Sequence, residues 1–156
     1  MNHITDKQFL VLDKKIQKIF IDWWKIEEGD FICLVDEERE CLVARVEREW
    51  RGELIDCWYY DYDSDKLISF DKTPCEGEYT VIPLFRLDQL LKFIRTKYPN
   101  VGINNYLPIN CCLRVWNIKL FKGMEQFEPD IEIMEEGLLQ TVWRAAIKAI
   151  EISLEV

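Results

Sequence analysis

Three aspartates at alternate positions, Asp61, Asp63 and Asp65, form the one pattern in this chain that resembles a metal-binding loop. Carboxylates spaced in this way can wrap a calcium ion, because a hard cation takes oxygen ligands from a short, sharply turning segment. A calcium loop starting at Asp61 also needs glycine at its sixth position and glutamate at its twelfth. Those positions hold Lys66 and Lys72. The first removes the turn, and the second puts a cation where a bidentate ligand belongs. A polar turn, in which Asp and Ser bond to nearby backbone, fits the segment better than a metal site.

Nucleophilic chemistry is short of a base. Histidine occurs once, at His3 beside the N-terminus, so neither a Ser-His-Asp nor a Cys-His pair can be assembled within the fold. Zinc sites that need several histidines are excluded for the same reason. The six cysteines, Cys33, Cys41, Cys57, Cys75, Cys111 and Cys112, contain no Cys-x-x-Cys. Most lie in apolar runs, which reads as buried free thiols behaving as small hydrophobes. No Gly-rich phosphate loop is present. No cofactor is expected, and the catalytic residues of any enzyme remain unassigned.

Binding chemistry is better represented. Trp58, Tyr60 and Tyr62 alternate along one segment, so on a strand they share a face on which a ligand could stack. Asp56, Asp61, Asp63 and Asp65 surround them and would repel a polyanion. Residues 26–80 contain seventeen Asp and Glu against six Lys and Arg, whereas residues 81–120 carry a net charge of +5. The acidic side chains include Glu37, Glu38 and Glu40, between two apolar runs. Nucleic acid is disfavoured as a partner, since phosphate contacts need a clustered basic surface. A basic protein suits the charge better. The plainer alternatives are a packed aromatic sheet face and a solvated acidic one.

These residues must be held by a folded scaffold. With 156 residues, 49% hydrophobic and 13% aromatic, the chain is expected to form a single globular domain over 1–156. No apolar run reaches the length of a membrane span, and no signal peptide is visible, so a cytoplasmic location is expected. Helical spacing of Phe9, Leu12, Ile16, Ile19 and Phe20 predicts a helix over 5–20. Five strands are expected in succession: 31–35, 41–46, 54–62, 66–70 and 79–84. Leu87, Leu90, Leu91, Ile94 and Tyr98 predict a central helix closed by Pro99. Residues 100–110 read as a loop, 111–121 as a strand, and 130–134 as a short strand. The last helix, 135–154, has an apolar stripe through Leu139, Val142, Trp143, Ala146, Ile147, Ile150 and Leu154. The fold class is α+β: a mainly antiparallel twisted sheet packed by an N-terminal, a central and a C-terminal helix.

Three segments resemble small, acidic, uncharacterised proteins carried by phages and prophages of Gram-positive bacteria. They are Trp24-Lys25 followed by Gly29-Asp30, the run Leu84-Phe85-Arg86-Leu87-Asp88-Gln89-Leu90-Leu91, and the helix with Leu138-Leu139, Trp143 and Ala146-Ile147. Phe85 stands where that family usually has Pro. The resemblance implies no assigned activity and no functional residues. Together with the missing catalytic constellation, it favours a non-enzymatic interaction protein of a mobile element. The alternative is a carboxylate-based enzyme, with or without a divalent metal, drawing on Asp61, Asp63 and Asp65.

Overall fold

The computed structural model describes residues 3–35, 41–48, 56–61, 66–71, 80–107, 114–123, 128–135 and 137–155. The chain is α+β, and its strands divide between two antiparallel sheets rather than entering one. Each sheet belongs to its own compact unit: Thr5–Phe85, and Arg86–Val156 together with Met1–Ile4.

The first unit opens with α1 (Asp6–Leu10) and α2 (Lys14–Trp23). The single helix expected over 5–20 is therefore two. Asp13 caps α2 by accepting from the Lys15 backbone N–H at 2.8 Å, a local bond that competes with continuation of α1. Gln17 secures the corner, its side-chain amide donating to the carbonyls of Leu10 and Leu12. Phe9 and Phe20 stay on the buried side of their helices across the break, so the apolar periodicity survives while the backbone bends.

The sheet of this unit has the order β4-β3-β2-β1-β5, from β1 (Phe31–Val35), β2 (Cys41–Arg48), β3 (Asp56–Asp61), β4 (Lys66–Asp71) and β5 (Thr80–Pro83). The first four strands pair with their sequence neighbours, and β5 returns to β1, with Cys33 opposite Ile82. All five strands fall close to where the short apolar runs and the polar breaks between them put them. Ile32, Cys33, Val46, Ile82 and Leu84 are buried. Phe85 is also buried and meets Phe9, Phe20 and Trp23 at ring-centroid distances of 6.3, 5.3 and 6.1 Å. An aromatic at this position thus has a packing role that proline could not fill.

The second unit contains α3 (Leu87–Arg95), β6 (Asn100–Tyr106), β7 (Val115–Phe121), β8 (Ile131–Glu135) and α4 (Leu138–Glu155), with sheet order β6-β7-β8. Helix α4 packs on β7, β8 and α3. Trp143 is 2% exposed, and Val142, Ala145, Ala146, Ala149 and Ile150 are buried beside it in sequence. The small alanines let a helix approach its neighbours closely. Several boundaries differ from the sequence reading, among them that β7 begins at Val115 with Arg114 outside it. Glu135 ends a strand rather than beginning a helix, and α3 stops at Arg95, short of Pro99. A larger difference is β6, which occupies the segment expected to be a loop. Its asparagines and glycine have low strand propensity, but seven unbroken pairings with β7, from Asn100↔Phe121 to Tyr106↔Val115, override that preference.

Candidate functional site

The acidic, aromatic strands are the sequence's main binding candidate. Trp58 and Tyr60 lie on β3, two positions apart. Trp58 stands opposite Glu47 of β2 and Ser69 of β4, and Tyr60 opposite Arg45 and Leu67. Asp61 closes β3, opposite Ala44 and Lys66. An inner strand supports both neighbours, so the backbone beneath Trp58 and Tyr60 is paired on each side. Tyr62, Glu37, Glu38, Glu40, Asp63 and Asp65 lie outside the described residues. Among the described residues, no three His, Cys, Asp or Glu side chains are grouped to hold a metal ion.

The motif Trp24…Gly29-Asp30 proves to be one hydrogen-bonded knot. Asp30 is 1% exposed. Its Oδ2 accepts from the Trp24 indole N–H and from the Glu27 backbone N–H, each at 3.0 Å. Gly29 adopts φ +85°, a conformation that glycine enters without steric penalty. The turn is then fastened to β2: Gly29 N–H donates to the Val46 carbonyl at 2.7 Å, and Val46 N–H donates to the Asp30 carbonyl at 2.8 Å. The spacing in the sequence therefore encodes how β1 is entered.

The second motif starts α3. The Arg86 backbone N–H donates to Gln89 Oε1 at 2.9 Å, which satisfies one of the donors left free at a helix start. The Arg86 side chain pairs with Asp88 at 3.2 Å. Burial alone would oppose ionisation of Asp88, but the hydrogen bond and charge of Arg86, together with the backbone N–H groups of Asp88 and Gln89, outweigh it and hold its carboxyl below the usual value. Beyond this start, α3 carries exposed Lys92 and Arg95. Lys97 lies 6.0 Å from the Phe93 ring centroid, and Lys122 lies 5.5 Å from that of Tyr98. Burial raises the Tyr98 hydroxyl above its ordinary value, and the charge of Asp130 adds to the rise. His3 bridges to Arg86 in a short antiparallel pairing, with Nδ1 2.7 Å from the Ile4 carbonyl.

The three-stranded sheet holds a polar group that sequence reasoning missed. Asn117, in the central strand, is 6% exposed. Its Nδ2 donates to Glu132 Oε1 at 2.6 Å, and Lys119 approaches the same oxygen at 3.4 Å. Asn117 Oδ1 is buried without a hydrogen-bond partner. Beyond this trio, the Tyr106 hydroxyl donates to Met134 Sδ. The Asn117 bond lowers the Glu132 pKa most, desolvation opposes it, and the nearby Lys119 adds to the lowering.

That lowering has a definite sign. Between its folded and unfolded values, Glu132 binds more protons in the unfolded chain, so stability rises with pH there. Its contribution is complete above the ordinary glutamate value and is lost as pH falls through the lowered one. Acid melts of the wild type and Glu132→Gln should therefore diverge above that window and converge below it. Parallel melting curves across the acid range would refute the assignment.

Comparison of the chain with protein-family models, with curated proteins and with solved structures finds no match in any of the three.

Proposed function

We propose that the protein is a non-enzymatic protein–protein interaction module whose acidic strands receive a basic partner. Its setting, on this reading, is the bacterial cytoplasm, as an accessory protein of the kind phages and prophages carry. The observation that carries the reading is charge segregation: residues 26–80 hold seventeen acidic against six basic side chains. These residues include four strands of one sheet and the first residue of the fifth, so the excess negative charge is concentrated on one folded unit. Such a field draws in basic surfaces and repels duplex DNA. Trp58, Tyr60 and Tyr62 would add apolar contact, while Glu37, Glu38 and Glu40 would supply charge between β1 and β2.

Exposed charges are screened over about 8–10 Å at physiological salt, so binding of this kind is salt-sensitive. The immobilised full chain should retain a basic protein from Gram-positive lysate at low salt and release it as salt rises. A Glu37→Lys/Glu38→Lys/Glu40→Lys variant should fail to retain it. Retention of nothing specific, or of a partner indifferent to both salt and charge reversal, would remove this reading.

A further inference from the structure

We propose that β6 is a self-pairing edge, through which two copies of this chain join their three-stranded sheets into one six-stranded antiparallel sheet. An edge strand presents unpaired backbone N–H and C=O groups, and proteins normally blunt such edges with charge, proline, bulges or shortness. Among the described strands, three of the four sheet edges carry such a device. The β4 edge begins and ends on charged residues, Lys66 and Asp71. The β5 edge is four residues long and ends at Pro83. The β8 edge is five residues long and contains Glu132 and Glu135.

The β6 edge has none of these devices. It is seven residues, Asn-Val-Gly-Ile-Asn-Asn-Tyr, with no charge and no proline. Its register with β7 is continuous over all seven positions, without a bulge. Residues 103–106 are exposed, including Ile103 at 37% and Tyr106 at 41%, and Leu107 beyond the strand is 58% exposed. No described strand lies on its outer side.

The strand's own sequence points to a second copy as the occupant. Residues paired across an antiparallel ladder must face the same side of the sheet, so a two-fold pairing is centred on a residue that meets itself. Centred on Ile103, the midpoint of β6, the pairing uses every position: Gly102 meets Asn104, Val101 meets Asn105, and Asn100 meets Tyr106. Two copies of one strand bring charge of the same sign to their shared seam, and β6 has no charge to repel itself.

This inference is independent of the acidic strands, and salt separates the two. Each copy carries a net charge of −9, so salt should preserve or strengthen self-association while it weakens capture of a basic partner. Sedimentation equilibrium of the full chain over rising concentration should show a mass approaching twice 18.7 kDa. In the dimer, amide hydrogen exchange within Asn100–Tyr106 should slow. Asn104→Lys/Asn105→Lys, at two exposed positions, should stay at the single-chain mass with an unchanged far-UV spectrum. A wild-type chain of single mass at every concentration overturns the proposal and leaves the edge to a strand from another protein. A dimer that persists in the double variant, without protection of β6 amides, overturns it equally.

Discussion

Trp143→Ala is expected to lower stability by about 3–5 kcal/mol, the usual cost of emptying a buried large aromatic site. The side chain is 2% exposed on α4, the helix that packs against β7, β8 and α3. The loss combines transfer of the indole from a buried site with the cavity left behind, and close-packed neighbours relax only partly into such a space. For a chain of this size the melting midpoint should fall by roughly 6–20 °C. Trp143→Phe retains much of the apolar volume and should lose distinctly less. Chemical denaturation of the three proteins measures the series. A loss below about 1 kcal/mol for alanine would mean that the α4 stripe contributes little to the second unit.

Asp30→Ala should be the costliest change to the first unit's turn, at about 2–3 kcal/mol, the range for hydrogen bonds to a charged group. Truncation strands two donors, the Trp24 indole N–H and the Glu27 N–H, both of which use Oδ2. Asp30→Asn can present an amide oxygen at the same place and should lose less. Trp24→Phe removes one donor and leaves the other bond intact. If the knot is one unit, the Trp24→Phe/Asp30→Ala double variant should lose less than the two single losses added together. Additive losses in denaturant melts would show that the indole and the carboxylate act separately.

Strong periodicity made most elements legible in the sequence. The five strands of the first unit stand out as short runs rich in apolar and aromatic residues, separated by polar or glycine-containing segments, so their order and approximate bounds follow from pattern alone. The helix stripe around Trp143 was equally plain. Two elements were obscured by local chemistry acting against the pattern. At Asp13, a capping carboxylate breaks a helix that the apolar spacing from Phe9 to Phe20 would continue. In β6, Gly102, Asn104 and Asn105 look like a loop, and only pairing with β7 makes them a strand. The alternation of Val101 and Ile103 was the available signal, and it was too short to outweigh the asparagines.

The motifs gave a different lesson. Trp24, Gly29 and Asp30 were visible as a spaced set, and so were Arg86 and Gln89. Their spacing reflects hydrogen bonds that begin a strand and a helix. Asn117 had no sequence signature at all, because a lone asparagine within an apolar strand shows neither its burial nor its carboxylate partner. The same is true of the division into two sheets, which depends on which strands meet across long stretches of chain.

The return of β5 to β1 bears on how the first unit can vary over evolution. That pairing sets Cys33 against Ile82 and brings together the two ends of the stretch that contains β2, β3 and β4. Segments 36–40, 49–55, 62–65 and 72–79 join these strands in the sequence. Lengthening a flexible connection costs only about 0.6 kcal/mol per doubling. Insertions there can therefore accumulate and diversify without redrawing the ladder. The unit has the economy of a frame with replaceable inserts, in which recognition can drift quickly while the strand order stays fixed.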